Sequence, residues 1–360
     1  MAADAAPLTV RTGNTANTRD AWIDVARGIC IILVVMMHSA LGVEKATGQV
    51  GWVHALVAWS KPFRMPDFFF LSGLLAAGVP AMANRRFLDR KIVHFVYFYV
   101  LWLLIITILR GTTDVSAGPT GMIPDFLFGL VEPFGTLWFI YVLPLFFIVL
   151  RFVARQWIGA AVISAAVLHI AAASFPDGGQ YAMSSKITFS TAFDSFALFL
   201  VFFLLGYASK PHLAGFFGSV AEHPLRALVG LAAWAIIHTL ALSSGMSAVP
   251  GVTVVFGVAG AMAIAVCAIL LSSGPVARTL AYFGANSLTI YLSFVIPMGA
   301  ARAIILKSSI IVDAGWQAFW VTLAAISLPL LFGRLISGTV LDFLFRRPAW
   351  AHLAGAGPRP

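Results

Sequence analysis

Charged side chains are scarce in this chain, since only 10% of its 360 residues are Asp, Glu, Lys or Arg. Soluble domains usually carry about a quarter. The apolar residues, 60% of the total, come in runs of about 20 residues, a length that suits the hydrocarbon core of a bilayer. The runs lack the strict alternation of barrel strands. The composition therefore excludes a soluble domain and predicts an all-α, polytopic membrane helical bundle.

The sequence also lacks a secretory signal, a metal-ligand motif and a second domain, which limits the kinds of functional site that the chain can contain. Residues 1–18 contain no apolar run, so we identify no secretory signal and predict a short disordered cytosolic tail. The two cysteines, Cys30 and Cys267, share no metal-ligand spacing with other residues. We therefore expect buried bystanders, no metal site and no bound cofactor. Because no repeat or second soluble domain is evident, any chemistry must use the membrane core.

The apolar runs predict ten transmembrane segments. They cover residues 25–43, 55–80, 92–110, 134–150, 157–174, 191–209, 226–243, 251–271, 279–300 and 314–338. We predict one transmembrane domain over residues 19–345, between the tail 1–18 and a cytosolic tail 346–360.

The net charge of +9 indicates orientation and not a nucleic-acid partner, because the basic residues lie mostly in short connections between apolar runs. The loop 84–91 is the most basic connection, so we place it in the cytosol. An even number of spans then puts both termini in the cytosol, and the connections 111–133 and 175–190 face outward. We expect a multi-pass protein of the plasma (inner) membrane, surrounded by lipid.

The first predicted span carries ionisable residues, which are costly inside a membrane and mark functional sites. Arg27 and His38 are eleven residues apart, which places them ~20° apart around a helix and ~16 Å apart along it. Asp24 lies on nearly the same face. One stripe therefore runs from Asp24 and Arg27 at the cytosolic mouth to His38 deep in the membrane.

Both residues of the pair also have a structural interpretation. Arg27 can extend to the inner headgroups, and His38 can bond to a neighbouring helix. Their common face favours function, because imidazole exchanges protons reversibly near neutral pH. We therefore take His38 and Arg27 as the candidate catalytic residues.

Four segments occur in an informative order. Arg27 and His38 are separated by ten residues, and 63–73 reads Phe-Arg-Met-Pro-Asp-Phe-Phe-Phe-Leu-Ser-Gly. Leu-Trp-Phe follows at 137–139, and Phe-Gly-Ala-Asn-Ser-Leu-Thr-Ile-Tyr-Leu at 283–292. In these segments the chain resembles the acyltransferase-3 family of integral membrane O-acyltransferases, and the resemblance covers most of its length.

The chain also departs from that family's pattern in three places. Phe294 stands where the family often has a histidine, and Asp67 stands where it usually has an apolar residue. Lys91 and His94 replace the paired arginines that follow the second span in the family.

The resemblance implies transfer of an acyl group from acetyl-CoA, or another short acyl-CoA acting as co-substrate, to a hydroxyl of a glycan or lipid-linked saccharide. His38 would be the general base, and Arg27 would hold the donor electrostatically. Coenzyme A is too polar to cross lipid, so the donor must be reached from the cytosol. An acyl intermediate on His38 or Ser39 stays open.

Other polar residues in the spans are candidates for substrate binding. Arg64 and Asp67 flank a proline inside an apolar run, and a kink with two charges indicates a polar cavity. A structural ion pair between them is the equal alternative. We add Asp24, Ser72 and Trp138 to this group, although tryptophan is commoner at the membrane interface.

The cytosolic cluster of Arg85, Arg86, Arg90 and Lys91 has two interpretations, and Arg86, Arg90 and Lys91 are the candidates for phosphate binding. It sets topology and contacts lipid headgroups, or it binds the phosphates of coenzyme A.

A saccharide transporter or flippase without acyl chemistry is the alternative function. Ten spans, broken helices and charges inside the membrane are also typical of transporters. The Arg27–His38 pattern and the lack of an evident inverted repeat argue for the acyltransferase.

Overall fold

The computed structural model describes residues 21–113, 118–133, 135–154, 156–175, 190–308 and 310–353. These residues are helical over most of their length and contain no β-strand. The prediction of an all-α bundle is therefore confirmed. The predicted tail 1–18 and most of the predicted connection 175–190 lie outside the described residues.

Fifteen α-helices follow one another in the described part of the chain. They are α1 (Ala21–Thr47), α2 (Val53–Ser60), α3 (Arg64–Leu74), α4 (Asn84–Phe87), α5 (His94–Thr113), α6 (Gly118–Val131), α7 (Trp138–Val153), α8 (Ile158–Ser174), α9 (Thr191–Glu222), α10 (Pro224–Ser243), α11 (Val252–Leu270), α12 (Gly274–Ala285), α13 (Ser287–Ser293), α14 (Val295–Ser308) and α15 (Ala314–Ile336). A π-helical turn, Leu88–Val93, joins α4 to α5. Short 3-10 turns lie at Met246–Ala248, Val340–Leu344 and Ala349–Ala351.

Six helical stretches among the described residues are long and apolar enough to cross a membrane. They are Trp22–Thr47, Asn84–Gly111, Thr191–Glu222, Pro224–Ser243, Val252–Leu270 and Ala314–Ile336. The bent pair α13 and α14, which turns by 59°, makes a seventh if it is one span. Each of the ten predicted segments overlaps a helix. The multi-pass helical architecture is therefore established, and the count of ten stays a prediction.

The second predicted segment, 55–80, is a broken helix. Helix α2 ends at Ser60 and α3 begins at Arg64, with Phe63 between them at φ −121° and ψ −16°. A continuous helix would set the ring of Pro66 against the carbonyl of Pro62, four residues earlier. The break comes before Pro66, which lies in the first turn of α3, where a missing N–H costs little.

The predicted outer connection 111–133 contains a helix. Helix α6 occupies Gly118–Val131. Pro119 stands in its first turn, a position that proline tolerates. The hydroxyl of Tyr99 donates to the carbonyl of Gly129 and holds α6 against α5.

Helix α1 lies at the centre of the bundle because small residues let its neighbours approach closely. A Cβ added at Gly28 would collide with the carbonyl of Leu280 on α12, and one at Gly284 would collide with the carbonyl of Asp24. Close backbone contact of this kind is how helices associate in membranes. The helix that carries Arg27 is therefore fixed against α12.

Residues 346–353, from the predicted C-terminal tail, pack back onto the π-helical turn. The carboxylate of Asp89 accepts from Arg347 Nη2 at 2.6 Å, from the backbone N–H of Leu353 at 2.9 Å and lies 3.2 Å from Nδ1 of His352. Arg347 Nη1 also donates to the Asp89 carbonyl at 2.8 Å. We call this cluster the Asp89 clasp. It fixes the turn that carries Lys91.

We expect Asp89→Asn to lower the free energy of unfolding by about 3 kcal/mol, because it leaves the charge of Arg347 buried and unpaired. The two side chains are only 5% and 3% exposed. Thermal unfolding of the purified protein in detergent measures the change. The control is Asp342→Asn, whose partner Arg346 is 70% exposed at 3.6 Å and which should cost less than about 1 kcal/mol. Equal losses in both variants would refute a stabilising clasp.

Candidate active site

A cavity of about 260 Å³ lies beside α1 and brings together side chains from distant parts of the chain. Its polar lining consists of Arg27, Ser72, Lys91, His94 and Ser287. The other lining residues are apolar or aromatic: Ile31, Val34, Met65, Phe68, Leu71, Leu75, Phe95, Phe139, Ile140, Leu143, Phe147, Leu288 and Tyr291. Such a lining suits a ligand that has an anionic part and an apolar part.

Arg27 is held at the cavity by two partners. Its Nη2 donates to Ser287 Oγ at 2.9 Å, and its Nη1 lies 3.4 Å from Asp24 Oδ1. The arginine side chain keeps 32% of its surface exposed, and that of Asp24 keeps 42%. The guanidinium is therefore oriented and still accessible to a ligand. Asp24 itself is one turn from the cavity and is not among its lining residues.

The π-helical turn brings a second positive charge into the cavity. Lys91 and His94 both line it, and Lys91 Nζ lies 4.4 Å from the centroid of the Phe147 ring, a cation–π contact. π-Helical turns recur at functional sites. The other two predicted phosphate-binding residues, Arg86 and Arg90, do not line the cavity, and Arg86 is exposed.

His38 lies beyond the far end of this cavity. The lining reaches Val34, which is about one helical turn before His38 on α1. The imidazole is partly buried, packs at 5.1 Å from the ring centroid of Phe294 and has no hydrogen-bond partner among the described residues. The ring of Phe294 is therefore a direct neighbour of the imidazole.

Arg64 and Asp67 are buried but do not form the ion pair that their spacing allows. The Arg64 guanidinium donates to the Val57 carbonyl at 3.1 Å and to Ser60 Oγ at 3.3 Å. It thereby covers the carbonyl end of α2, a favourable place for a cation. Asp67 Oδ2 lies 3.9 Å from Sγ of Cys30 on α1, and its Oδ1 has no partner in the described part of the chain.

The remaining predicted substrate-binding residues differ in their location. Ser72 lines the cavity, and its hydroxyl donates to the Phe68 carbonyl at 2.7 Å. Trp138 lies outside the lining and stacks on Phe199 at a centroid distance of 5.3 Å. Its neighbour Phe139 lines the cavity instead.

Sequence reasoning gave no role to Ser287, Phe139 or Tyr291. Ser287 stands inside the late motif 283–292, and the structure explains it as the partner of Arg27. Tyr291 in the same motif donates its hydroxyl to the carbonyl of Thr136, just before α7. The motif itself was therefore the available signal for both residues. In the described residues no three His, Cys, Asp or Glu side chains come together as metal ligands.

Comparison with known proteins agrees with this architecture. A family model described as an acyltransferase domain, of the acyltransferase-3 family, matches residues 20–336. The inner membrane protein YcfT of Escherichia coli is 26% identical over an alignment of 168 positions, and the match covers 38% of this chain and 44% of that protein. The match thus spans less than half the length of this relative. No solved structure matches the chain. Because the family model covers most of the sequence, this multi-pass membrane protein belongs to the acyltransferase-3 family.

Proposed function

We propose that this protein is a membrane O-acyltransferase that moves an acyl group, acetyl in the simplest case, from cytosolic acyl-CoA to a hydroxyl of a glycan or lipid-linked saccharide. The observation that carries the proposal is the cavity in which Arg27 and Lys91 lie beside an aromatic, apolar lining. Acyl-CoA combines anionic phosphates with a neutral acyl end, so this cavity complements both parts. Membership of the family supports acyl transfer as the class of reaction.

In the proposed reaction the acceptor hydroxyl attacks the thioester carbonyl while His38 takes its proton. The carbon–sulfur bond breaks, the acyl group stays on the acceptor oxygen, and the leaving thiolate of coenzyme A takes up a proton. Arg27 and Lys91 hold the donor phosphates near the mouth, with Arg86 and Arg90 as further contacts. Asp24 orients Arg27, and Arg64, Asp67, Ser72 and Trp138 belong to the wider substrate-binding region.

The distance between Arg27 and His38 lets the donor enter from the cytosol while the acceptor enters from the outer face. His38 lies ~16 Å along α1 from Arg27. The acyl end of the donor therefore advances past Val34 to His38, and an acceptor presented from the outer face meets it there. Coenzyme A need not leave the cytosol.

Mass spectrometry of surface glycans tests this function. Cells with the protein should carry glycans heavier by the mass of one acyl group, and cells with His38→Gln should not. If the amount of glycan on the outer surface changes but no glycan carries the mass of an added acyl group, the protein is a transporter and the acyltransferase proposal is refuted.

We further propose ten spans with both termini in the cytosol of the inner membrane, around one acyltransferase domain over residues 19–345. The count of ten includes the six long helices and the bent pair α13–α14. It also includes the shorter helices α7 and α8 and the broken pair α2–α3, which counts as one span. The similarity to YcfT, an inner membrane protein of Escherichia coli, supports the location.

Cysteine labelling tests the orientation. In a variant without Cys30 and Cys267, Ala83→Cys should resist an impermeant thiol reagent in intact cells and react after permeabilisation. Val50→Cys should react in intact cells, because Val50 is 67% exposed just beyond the end of α1. The physical reason is the basic loop after Ala83, which favours the cytosol. Reversed labelling would put Arg27 at the outer face and exclude the proposed route for the donor.

A further inference from the structure

A second cavity shares no lining residue with the Arg27 cavity and lies in a groove between the C-terminal part of α9, α10 and α11. Its volume is about 420 Å³. All three helices belong to stretches that are long and apolar enough to cross a membrane. Only 11% of the apolar stretch of α10 is buried, so this helix lies at the periphery of the bundle. The groove therefore belongs to the part of the surface that faces lipid.

The lining of the groove separates into a polar end and an apolar body. The polar side chains, Ser219, His223 and Arg226, all come from the turn where α9 meets α10. Beyond them the lining continues with apolar side chains such as Leu231 and Met262. This order of polarity is that of a phospholipid, whose headgroup lies at the interface and whose chains enter the hydrocarbon.

The positive charge at the polar end favours an anionic lipid headgroup. Arg226 is exposed and has no hydrogen bond or ion pair to another described residue. No carboxylate lines the groove. A basic pocket between transmembrane helices favours an anionic lipid headgroup.

An aromatic contact locates the polar end of the groove. Trp234 adds an aromatic ring to the apolar body. The ring of Phe217 lies 4.7 Å from that of Trp22, so the polar end is at the same end of the bundle as the start of α1.

We propose that this groove is a binding site for one anionic phospholipid, with its phosphate at Arg226 and His223 and an acyl chain along α10 and α11. A groove of about 420 Å³ with its charge at one end fits an acyl chain better than a helix, whose diameter is about 10 Å. The site is separate from the Arg27 cavity and does not depend on the proposed reaction.

Native mass spectrometry of the full-length protein in detergent tests the proposal, with phosphatidylglycerol and phosphatidylcholine of identical chains. Phosphatidylglycerol should bind the wild type more tightly and raise its melting temperature. Arg226→Gln should weaken phosphatidylglycerol binding about fivefold, the effect of one arginine at an anionic surface, and leave phosphatidylcholine unchanged. The matched control is Arg278→Gln, an exposed arginine on α12 outside the groove, which should bind both lipids like the wild type.

A second variant tests the apolar body of the groove. An added Cβ at Gly230 meets no atom within 4 Å, so Gly230→Phe should fill the groove and displace the lipid while Arg226 remains. Equal binding of the two lipids, or unchanged phosphatidylglycerol binding in Arg226→Gln, overturns the proposal. Competition by inorganic phosphate alone, or a dimer that Gly230→Phe abolishes, also overturns it, in favour of a free anion or a second copy.

Discussion

Replacement of His38 by alanine is expected to lower acyl transfer by about 10²–10⁴-fold, which is the contribution of a positioned general base. The protein should still fold. The imidazole has no hydrogen-bond partner in the described part of the chain, so its removal leaves no buried polar group unsatisfied. What is lost structurally is its packing against Phe294.

The measurement is acyl transfer at equal amounts of inserted protein, together with the melting temperature of each variant. His169→Ala is the matched control, because His169 is also in an apolar helix but is bonded at both nitrogens. Its Nδ1 lies 2.7 Å from the Leu198 carbonyl and its Nε2 lies 2.7 Å from Thr253 Oγ1. We expect this control to lose stability and keep transfer in the folded fraction. Full transfer by His38→Ala would remove the proton-transfer role.

The length of the apolar runs predicted the helices well, because a membrane requires apolar length and internal backbone bonding. Local breaks were harder to locate. Pro66 predicted a kink in the second segment, but the helix is interrupted at residues 61–63, between the end of α2 and the start of α3. The bend between α13 and α14 comes at Phe294, and its signal was Pro297, which stands in the first turn of α14 as Pro66 does in that of α3. No kink was predicted from this proline.

The candidate site shows the same limit. The common face of Arg27 and His38 follows from one helix and could be predicted. The hydrogen bond from Arg27 to Ser287 joins residues 260 positions apart, and only the packing of α1 against α12 and α13 creates it. Trp138 was the predicted aromatic residue. The next residue, Phe139, points about 100° away around the helix, and it lines the cavity.

Substitution of Arg27 by lysine is expected to weaken donor binding by about 10–100-fold, although the positive charge is kept. The two terminal nitrogens of the guanidinium point to Asp24 and Ser287, which orients the group and leaves it partly exposed for the donor. A lysine ammonium is a single point charge and cannot keep these contacts while it binds phosphate in two places. Loss of one hydrogen bond to a charged group costs about 1.5–3 kcal/mol, which corresponds to the expected change.

Equilibrium binding of acetyl-CoA to the purified protein measures this effect without turnover. Ser287→Ala keeps the arginine but removes its partner at 2.9 Å, so it should weaken binding less than Arg27→Lys does. Arg302→Lys is the control for a general loss of arginine, because Arg302 donates to the Gly42 carbonyl near the other end of α1 and should not affect the donor. If Arg27→Lys binds acetyl-CoA as tightly as the wild type, Arg27 only sets topology, and Lys91 must supply the charge that holds the donor.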